Sequence, residues 1–188
     1  MSLKLYFVRH GQAESNLCEG FYNDAEAELT AIGRVQAEEL GLFLRNLNEK
    51  FVAVYCSPYK RARDTCAIVL KYTKMEYYDV AYDDRIIERR FDGLFEKTVS
   101  TKDYIELYDY DSDLSKSLGV ETLDHLEDRA RSFIEELKTK YESGNVLAFS
   151  HGVFGLAVHT VVNGRPASNN MHDLQLLKNC KFQIFELK

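Results

Sequence analysis

Arg9, His10 and Gly11 close the apolar run Leu5-Tyr6-Phe7-Val8, so a guanidinium and an imidazole stand together where a strand gives way to a glycine loop. Arginine presents a planar fork that binds two phosphate oxygens and keeps its charge, and a neutral imidazole is a nucleophile. One such pair at one strand end is a weak signal. The combination recurs, however. Phe51-Val52-Ala53-Val54-Tyr55 runs into Ser57-Pro58-Tyr59-Lys60-Arg61-Ala62-Arg63, and Asn145-Val146-Leu147-Ala148-Phe149 ends in Ser150-His151-Gly152. Arg9, His10, Arg61 and His151 all lie just past a run that reads as a strand, so one rim of a sheet can collect them. A carboxyl group, Glu88, lies between them in Arg85-Ile86-Ile87-Glu88-Arg89-Arg90-Phe91.

The elements that must position these groups alternate between strand and helix, which favours an α/β sandwich around a mostly parallel sheet. Leu29-Thr30-Ala31-Ile32-Gly33-Arg34 reads as the start of a capped helix. Ile32, Val35, Leu40, Phe43, Leu44 and Leu47 recur at helical spacing, as do Leu123, Leu126, Ala130, Phe133, Leu137 and Tyr141. Both helices are expected on the sheet, with Gly144 ending the second and Lys181 to Leu187 alternating as a last strand. No repeat or linker divides the chain, so 1–188 reads as one domain. The segment from about 98 to 118, rich in Asp, Ser and Tyr, reads as a small cap over the mouth of the site.

Composition limits the partners. The 188 residues are 45% hydrophobic, enough for a full core, and a net charge of −6 with no basic tract excludes nucleic acid and anionic membranes as expected partners. Without a signal peptide or a transmembrane run the expected location is cytoplasmic. Cys18, Cys56, Cys66 and Cys180 lack a Cys-x-x-Cys spacing and are expected to be reduced thiols. A cysteine-dependent phosphatase would need an Arg five residues after the intervening loop begins, but Cys56 meets Ala62 there, between Arg61 and Arg63. His125, His159 and His172 have no ligand-like spacing, so neither a metal nor another cofactor is expected.

Taken in order along nearly the whole chain, these motifs resemble the histidine phosphatase superfamily in its phosphoglycerate-mutase-like branch. Gly119-Val120-Glu121-Thr122 with Arg129 downstream is similar to that family's Gly-Glu-Ser segment and following helix, with Val120 inserted. The family's Glu, two residues, aromatic, Gly becomes Glu88, Arg89, Arg90, Phe91, with Asp92 delaying Gly93 by one place, a departure at the pocket edge that bears on substrate. The resemblance implies a three-layer α/β/α sandwich and a metal-independent phosphomonoesterase acting on a small phosphorylated metabolite through phosphohistidine. A phosphoglycerate mutase using the same centre and a non-catalytic phospho-ligand-binding module are the alternatives, and a homodimer is left open.

The chemistry assigns expected roles. A phosphate monoester dianion repels nucleophiles, so fixed donors must hold its oxygens before in-line attack, and Arg9, Arg61 and His151 supply them. His10 is the expected nucleophile, kept neutral by the guanidiniums and oriented by a backbone carbonyl near Gly11. Glu88 is the expected proton carrier, acid in the first transfer and base in the second, unless an ion pair with Arg89 or Arg90 engages it. Asn16, Arg90 and Gly152 complete the expected substrate-binding set. The cap's Asp103, Glu106, Asp109, Asp111 and Asp113, against Lys102 and Lys116, are expected to repel a polyanion such as a mutase substrate.

Overall fold

The apolar runs anticipated from sequence form β1 (Leu3–Arg9), β2 (Phe51–Cys56) and β4 (Gly144–Ser150), joined by β3 (Val80–Tyr82) and β5 (Phe182–Leu187). The computed structural model describes residues 2–18, 21, 24–94 and 97–188. Its sheet has the order β3-β2-β4-β1-β5, parallel except for β5. Because both faces of β1 and β4 are covered, their side chains divide by parity. Leu5, Phe7, Val146 and Ala148 enter one core, and Tyr6, Val8, Leu147 and Phe149 enter the other.

Helices α1 (Ala31–Leu47) and α2 (Lys60–Thr73) cover the second core, and α5 (Leu123–Lys140) and α6 (Gly152–Asn163) cover the first. The sandwich is therefore three-layered. Thr30 caps α1 by accepting from the Gly33 amide, as the sequence leads one to expect. The buried stripe of α1 is another matter: it consists of Gly33, Ala37, Leu40, Gly41 and Leu44, while Ile32, Val35, Phe43 and Leu47 are exposed. The helix lies too close for bulky side chains at two points. A Cβ on Gly33 would stand 2.0 Å from the Gln12 carbonyl oxygen, and one on Gly11 would stand 2.5 Å from the Gly33 carbonyl oxygen. This backbone-to-backbone contact braces the loop after β1.

Leu123, Leu126, Ala130, Phe133 and Leu137 of α5 are buried, as their spacing suggests. That helix stops at Lys140 with Tyr141 as its cap, so Gly144 does not end it but opens β4 with a positive φ of 114°. Between β3 and α5 the chain makes two short helices, α3 (Thr101–Glu106) and α4 (Asp113–Ser117), within the segment read as a cap. Gly93 sits at the root of that segment, where a Cβ would fall 1.5 Å from the Leu118 carbonyl oxygen. All four cysteines are free. Among the described residues no helix is long and apolar enough to cross a membrane.

Candidate active site

Strand register brings the three motifs together. β4 lies between β1 and β2, with Arg9 opposite Ser150 and Cys56 opposite Phe149. Each chain then continues one residue in step: the His10 amide donates to the Ser150 carbonyl (3.0 Å) and the Ser57 amide to the Phe149 carbonyl (2.9 Å). His10, His151 and Arg61 thus meet at the carboxyl ends of adjacent parallel strands, where α/β sheets present their sites.

His10 is held from both sides. Its Nδ1 donates to its neighbour's carbonyl, Gly11 O, at 2.7 Å, which leaves Nε2 unprotonated, and Arg61 Nε donates to that Nε2 at 3.2 Å. Burial, then the positive charges of Arg61 and Arg9, hold the His10 pKa well below the usual histidine value against the opposing Gly11 hydrogen bond. Burial is the larger cause, ahead of the guanidiniums invoked from sequence. The same order, burial and then Arg61, lowers the His151 pKa. His151 is the N-cap residue of α6, its ring centroid 5.2 Å from that of His10, and its Nε2 shares a 2.7 Å hydrogen bond with Ser57 Oγ.

Among the described residues, Arg9 Nε and His151 Nδ1 in this cluster are buried without a hydrogen-bond partner. A buried polar group left unpaired costs about 1–3 kcal/mol, which an oxyanion accepting from it would recover. One further nitrogen of each guanidinium is anchored, Arg9 Nη1 by Leu177 O at 2.6 Å and Arg61 Nη1 by Asp24 O at 2.7 Å. Both guanidiniums are lowered in pKa by burial and partly restored by the charge of Glu88, and both remain cationic at neutral pH.

Glu88 is oriented by three backbone amides. Its Oε1 accepts from Arg89 N (2.9 Å) and Phe154 N (3.0 Å), and its Oε2 from Val153 N (3.2 Å). The last two amides belong to the first turn of α6, where a carboxylate complements the helix dipole. The ion pair considered as an alternative does not form. Arg89 is fully buried and donates to Leu107 O, Glu121 O and Ser115 Oγ, and Arg90 Nη2 lies 3.5 Å from Glu121 Oε1.

A cavity of about 500 Å³ opens over this cluster, lined by Arg9, His10, Ser15, Asn16, Arg61 and Glu88 on one side and by Phe21, Phe91, Thr98, Val99, Thr101, Tyr104 and Tyr108 on the other. Asn16 is there, its Oδ1 accepting from Ala13 N and Asn179 Nδ2. Three of the expected substrate-binding residues are absent from that lining: His151, which is fully buried beside His10, Arg90 and Gly152. Arg90 is drawn away by Glu121, which Arg129 also grips through two nitrogens at 2.8 Å. Gly152 instead backs onto Arg9, where a Cβ would lie 3.3 Å from Arg9 Nε, so its small size lets the guanidinium lie flat on α6. Nor do the cap's acidic residues line the cavity. Asp103 bonds Ser100, Asp111 bonds Asn169 and Asp113 pairs with Lys116, because each serves a helix start or turn on the outer side.

Several contributors escaped the sequence reading. Thr65 Oγ1 accepts from Gly11 N and donates to Arg61 O, tying the loop after β1 to α2. Asn179 Nδ2 donates to His10 O across 169 residues of chain. Ser57 had a usable signal in its place just after β2. Asn179 had none, since nothing local links it to His10.

Comparison with known proteins agrees with this geometry. Residues 5–188 match the model of the histidine phosphatase superfamily, branch 1. The chain is 34% identical over 87 residues to a broad-specificity phosphatase of Saccharomyces cerevisiae, covering 46% of this chain and 38% of that protein. It is 28% identical over 155 residues to a metal-independent phosphoserine phosphatase of Arabidopsis thaliana, covering 79% and 64%. The matches therefore span less than two thirds of these relatives. In fold, a phosphoglycerate mutase of Bacillus anthracis superposes with a TM-score of 0.80 at 20% identity, covering 97% of this chain and 86% of that one.

Proposed function

The chain belongs to the histidine phosphatase superfamily, and from that membership we propose that it is a metal-independent phosphomonoesterase working through phosphohistidine. The observation that carries the reading is the His10 cluster: a neutral imidazole with its tautomer fixed by Gly11 O, beside Arg9 Nε and His151 Nδ1, two buried nitrogens without partners.

In this reading residues 1–188 act as one domain with a cap at about 98–118. The phosphoryl oxygens take hydrogen bonds from Arg9, Arg61 and His151. Arg61 Nε then leaves His10 Nε2 for a phosphate oxygen, freeing the lone pair for in-line attack on phosphorus. The P–O ester bond breaks as the N–P bond forms, and Glu88 delivers a proton to the leaving oxygen. In the second half Glu88 takes a proton from water, whose oxygen displaces His10 and releases inorganic phosphate. Asn16 steadies the first loop through Ala13 and Asn179.

Hydrolysis is favoured over mutase activity by the absence of any lysine or arginine besides Arg9 and Arg61 among the described lining residues. A phosphoglycerate mutase must hold a carboxylate and two phosphate positions at once, which calls for further cations. The test is turnover of phenyl phosphate with and without EDTA, with quenching in alkaline detergent to trap phosphate on His10. Activity that survives chelation and an acid-labile phosphohistidine are expected. Dependence on a divalent metal, or rapid interconversion of phosphoglycerates with little free phosphate, would overturn the reading.

A further inference from the structure

Beyond the phosphate centre, the cavity wall has a composition that the phosphatase reading does not use. Phe21 stacks between Phe91, at 4.7 Å and 29°, and Tyr104, at 5.9 Å and 27°, and Tyr104 leans on Tyr108 at 5.2 Å. Val99 and the hydroxyls of Thr98 and Thr101 fill in around these rings. The wall is held from behind by Arg89, whose guanidinium lies over Phe91 (5.1 Å) and Tyr108 (5.4 Å) while it binds the carbonyls of Leu107 and Glu121. That cation is fully buried and committed, so it supports the rings and cannot reach a ligand.

Among its described lining residues the same wall carries no lysine or arginine. Arg90 is paired with Glu121, and Lys97 Nζ donates to Gly93 O. Residues 19, 20, 22, 23, 95 and 96, which lie next to lining residues in the chain, include no lysine or arginine. A carboxylate or second phosphate entering beside these rings would meet hydroxyls but no cation from this wall, whereas an aromatic ring would gain stacking contacts.

The geometry points to phosphate monoesters whose alcohol or phenol part is an uncharged aromatic ring as the substrate class of this site, with Phe21 and Tyr104 as the residues that select it. This rests on the phosphate-binding role given to Arg9, Arg61 and His151. It also separates the protein from relatives named for phosphoserine or phosphoglycerate, whose substrates carry charge close to the ester.

Non-hydrolysable phosphonates test it by calorimetry, free of leaving-group reactivity. Methylphosphonate probes the phosphate centre alone, benzylphosphonate adds the ring, and 3-phosphonopropionate adds a carboxylate. Benzylphosphonate is expected to bind at least about tenfold tighter than methylphosphonate, and 3-phosphonopropionate no tighter than methylphosphonate. Tyr104→Ala should erase most of the benzyl preference, and because Tyr104 is 38% exposed on a short helix its removal does not threaten the core. Phe21→Leu should reduce the preference by a smaller factor. Equal binding of benzyl and methyl compounds, or tighter binding of the carboxylate, would overturn this inference and leave the phosphatase reading standing. No binding of any phosphonate would remove the phosphate site itself and this inference with it. Phenyl phosphate and a phosphotyrosyl peptide assayed side by side then assign the source of the ring, a small ester or a protein side chain.

Discussion

The two walls of the cavity are built on different principles. The reactive wall, with Arg9, His10 and Arg61 at its surface and His151 buried beside them, hangs on the ends of β1, β2 and β4 and is fixed by strand register and by buried hydrogen bonds. The facing wall, with Phe21, Phe91, Val99, Tyr104 and Tyr108, comes from loops and from the short helix α3, and is held by ring contacts and by Arg89. A rigid wall suits chemistry, because a shift of about 1 Å at the reacting atoms can cost 10²-fold in rate. A wall of side chains on irregular backbone suits selection, because it can change without disturbing the register of the sheet.

Substitutions on the reactive wall should have the largest consequences. His10→Ala is expected to lower kcat by at least about 10⁴-fold with the fold retained, since it removes the nucleophile itself. Steady-state assay beside circular dichroism checks both halves, and near-normal turnover would break the assignment. Glu88→Gln should slow the first phosphoryl transfer of alkyl phosphates by about 10²–10⁴-fold while sparing that of an activated aryl phosphate, which needs little protonation. Rapid-quench measurement of phosphoenzyme formation with both substrates reads this directly. Equal slowing of the two would make Glu88 an anchor of the α6 N-terminus rather than a proton carrier.

Arg61→Ala should cost about 10²–10³-fold in kcat/KM, on the scale of losing one oxyanion donor. It should also raise the His10 pKa, because it removes the nearest positive charge and the donor to Nε2. NMR titration of the His10 ring would show the change.

Stability against pH sharpens the contrast at smaller scale. His10 and His151 are buried with pKa values held well below their unfolded value of about 6.5, so the unfolded chain binds more protons as pH falls. Their stabilising contribution is complete above about pH 6.5 and is lost as pH drops from there through the folded values, at a slope approaching about 1.4 kcal/mol per pH unit for each. Urea unfolding at a series of pH values should show this decline, and His151→Asn should flatten it. Arg90→Ala should do least, changing kcat/KM by no more than about twofold, because its guanidinium sits on Glu121 outside the cavity. A large rise in KM in that variant would return Arg90 to the substrate.

What could be read without coordinates was whatever depends on neighbours in sequence. Apolar runs ending in Arg-His, Ser-Pro and Ser-His, a Thr-capped helix and an α5 stripe are local patterns, and their order along the chain was enough to indicate the family. Apart from Gly144, which opens β4 instead of ending α5, the misreadings concern which way side chains are placed. Ile32, Val35 and Phe43 repeat at helical spacing, yet close approach of α1 to the Gln12 backbone and to Tyr72 reserves the inner face for Gly33 and Gly41. The acidic residues of the cap are numerous, yet none of the five is among the described residues that line the cavity.

Short stretches of sequence were enough for the alternating elements, for the placing of Arg9, His10, Arg61 and His151 at three strand ends and for the net charge of −6, because propensity, period and charge are local properties. Only the tertiary structure decided that β4 lies between β1 and β2, that Asn179 reaches back to His10, that Arg89 is buried behind the rings and that Arg90 turns to Glu121. Those outcomes depend on which surfaces meet and at what distance. A guanidinium is equally at home against a phosphate, a carboxylate or a row of carbonyls, and only the packing around it selects one.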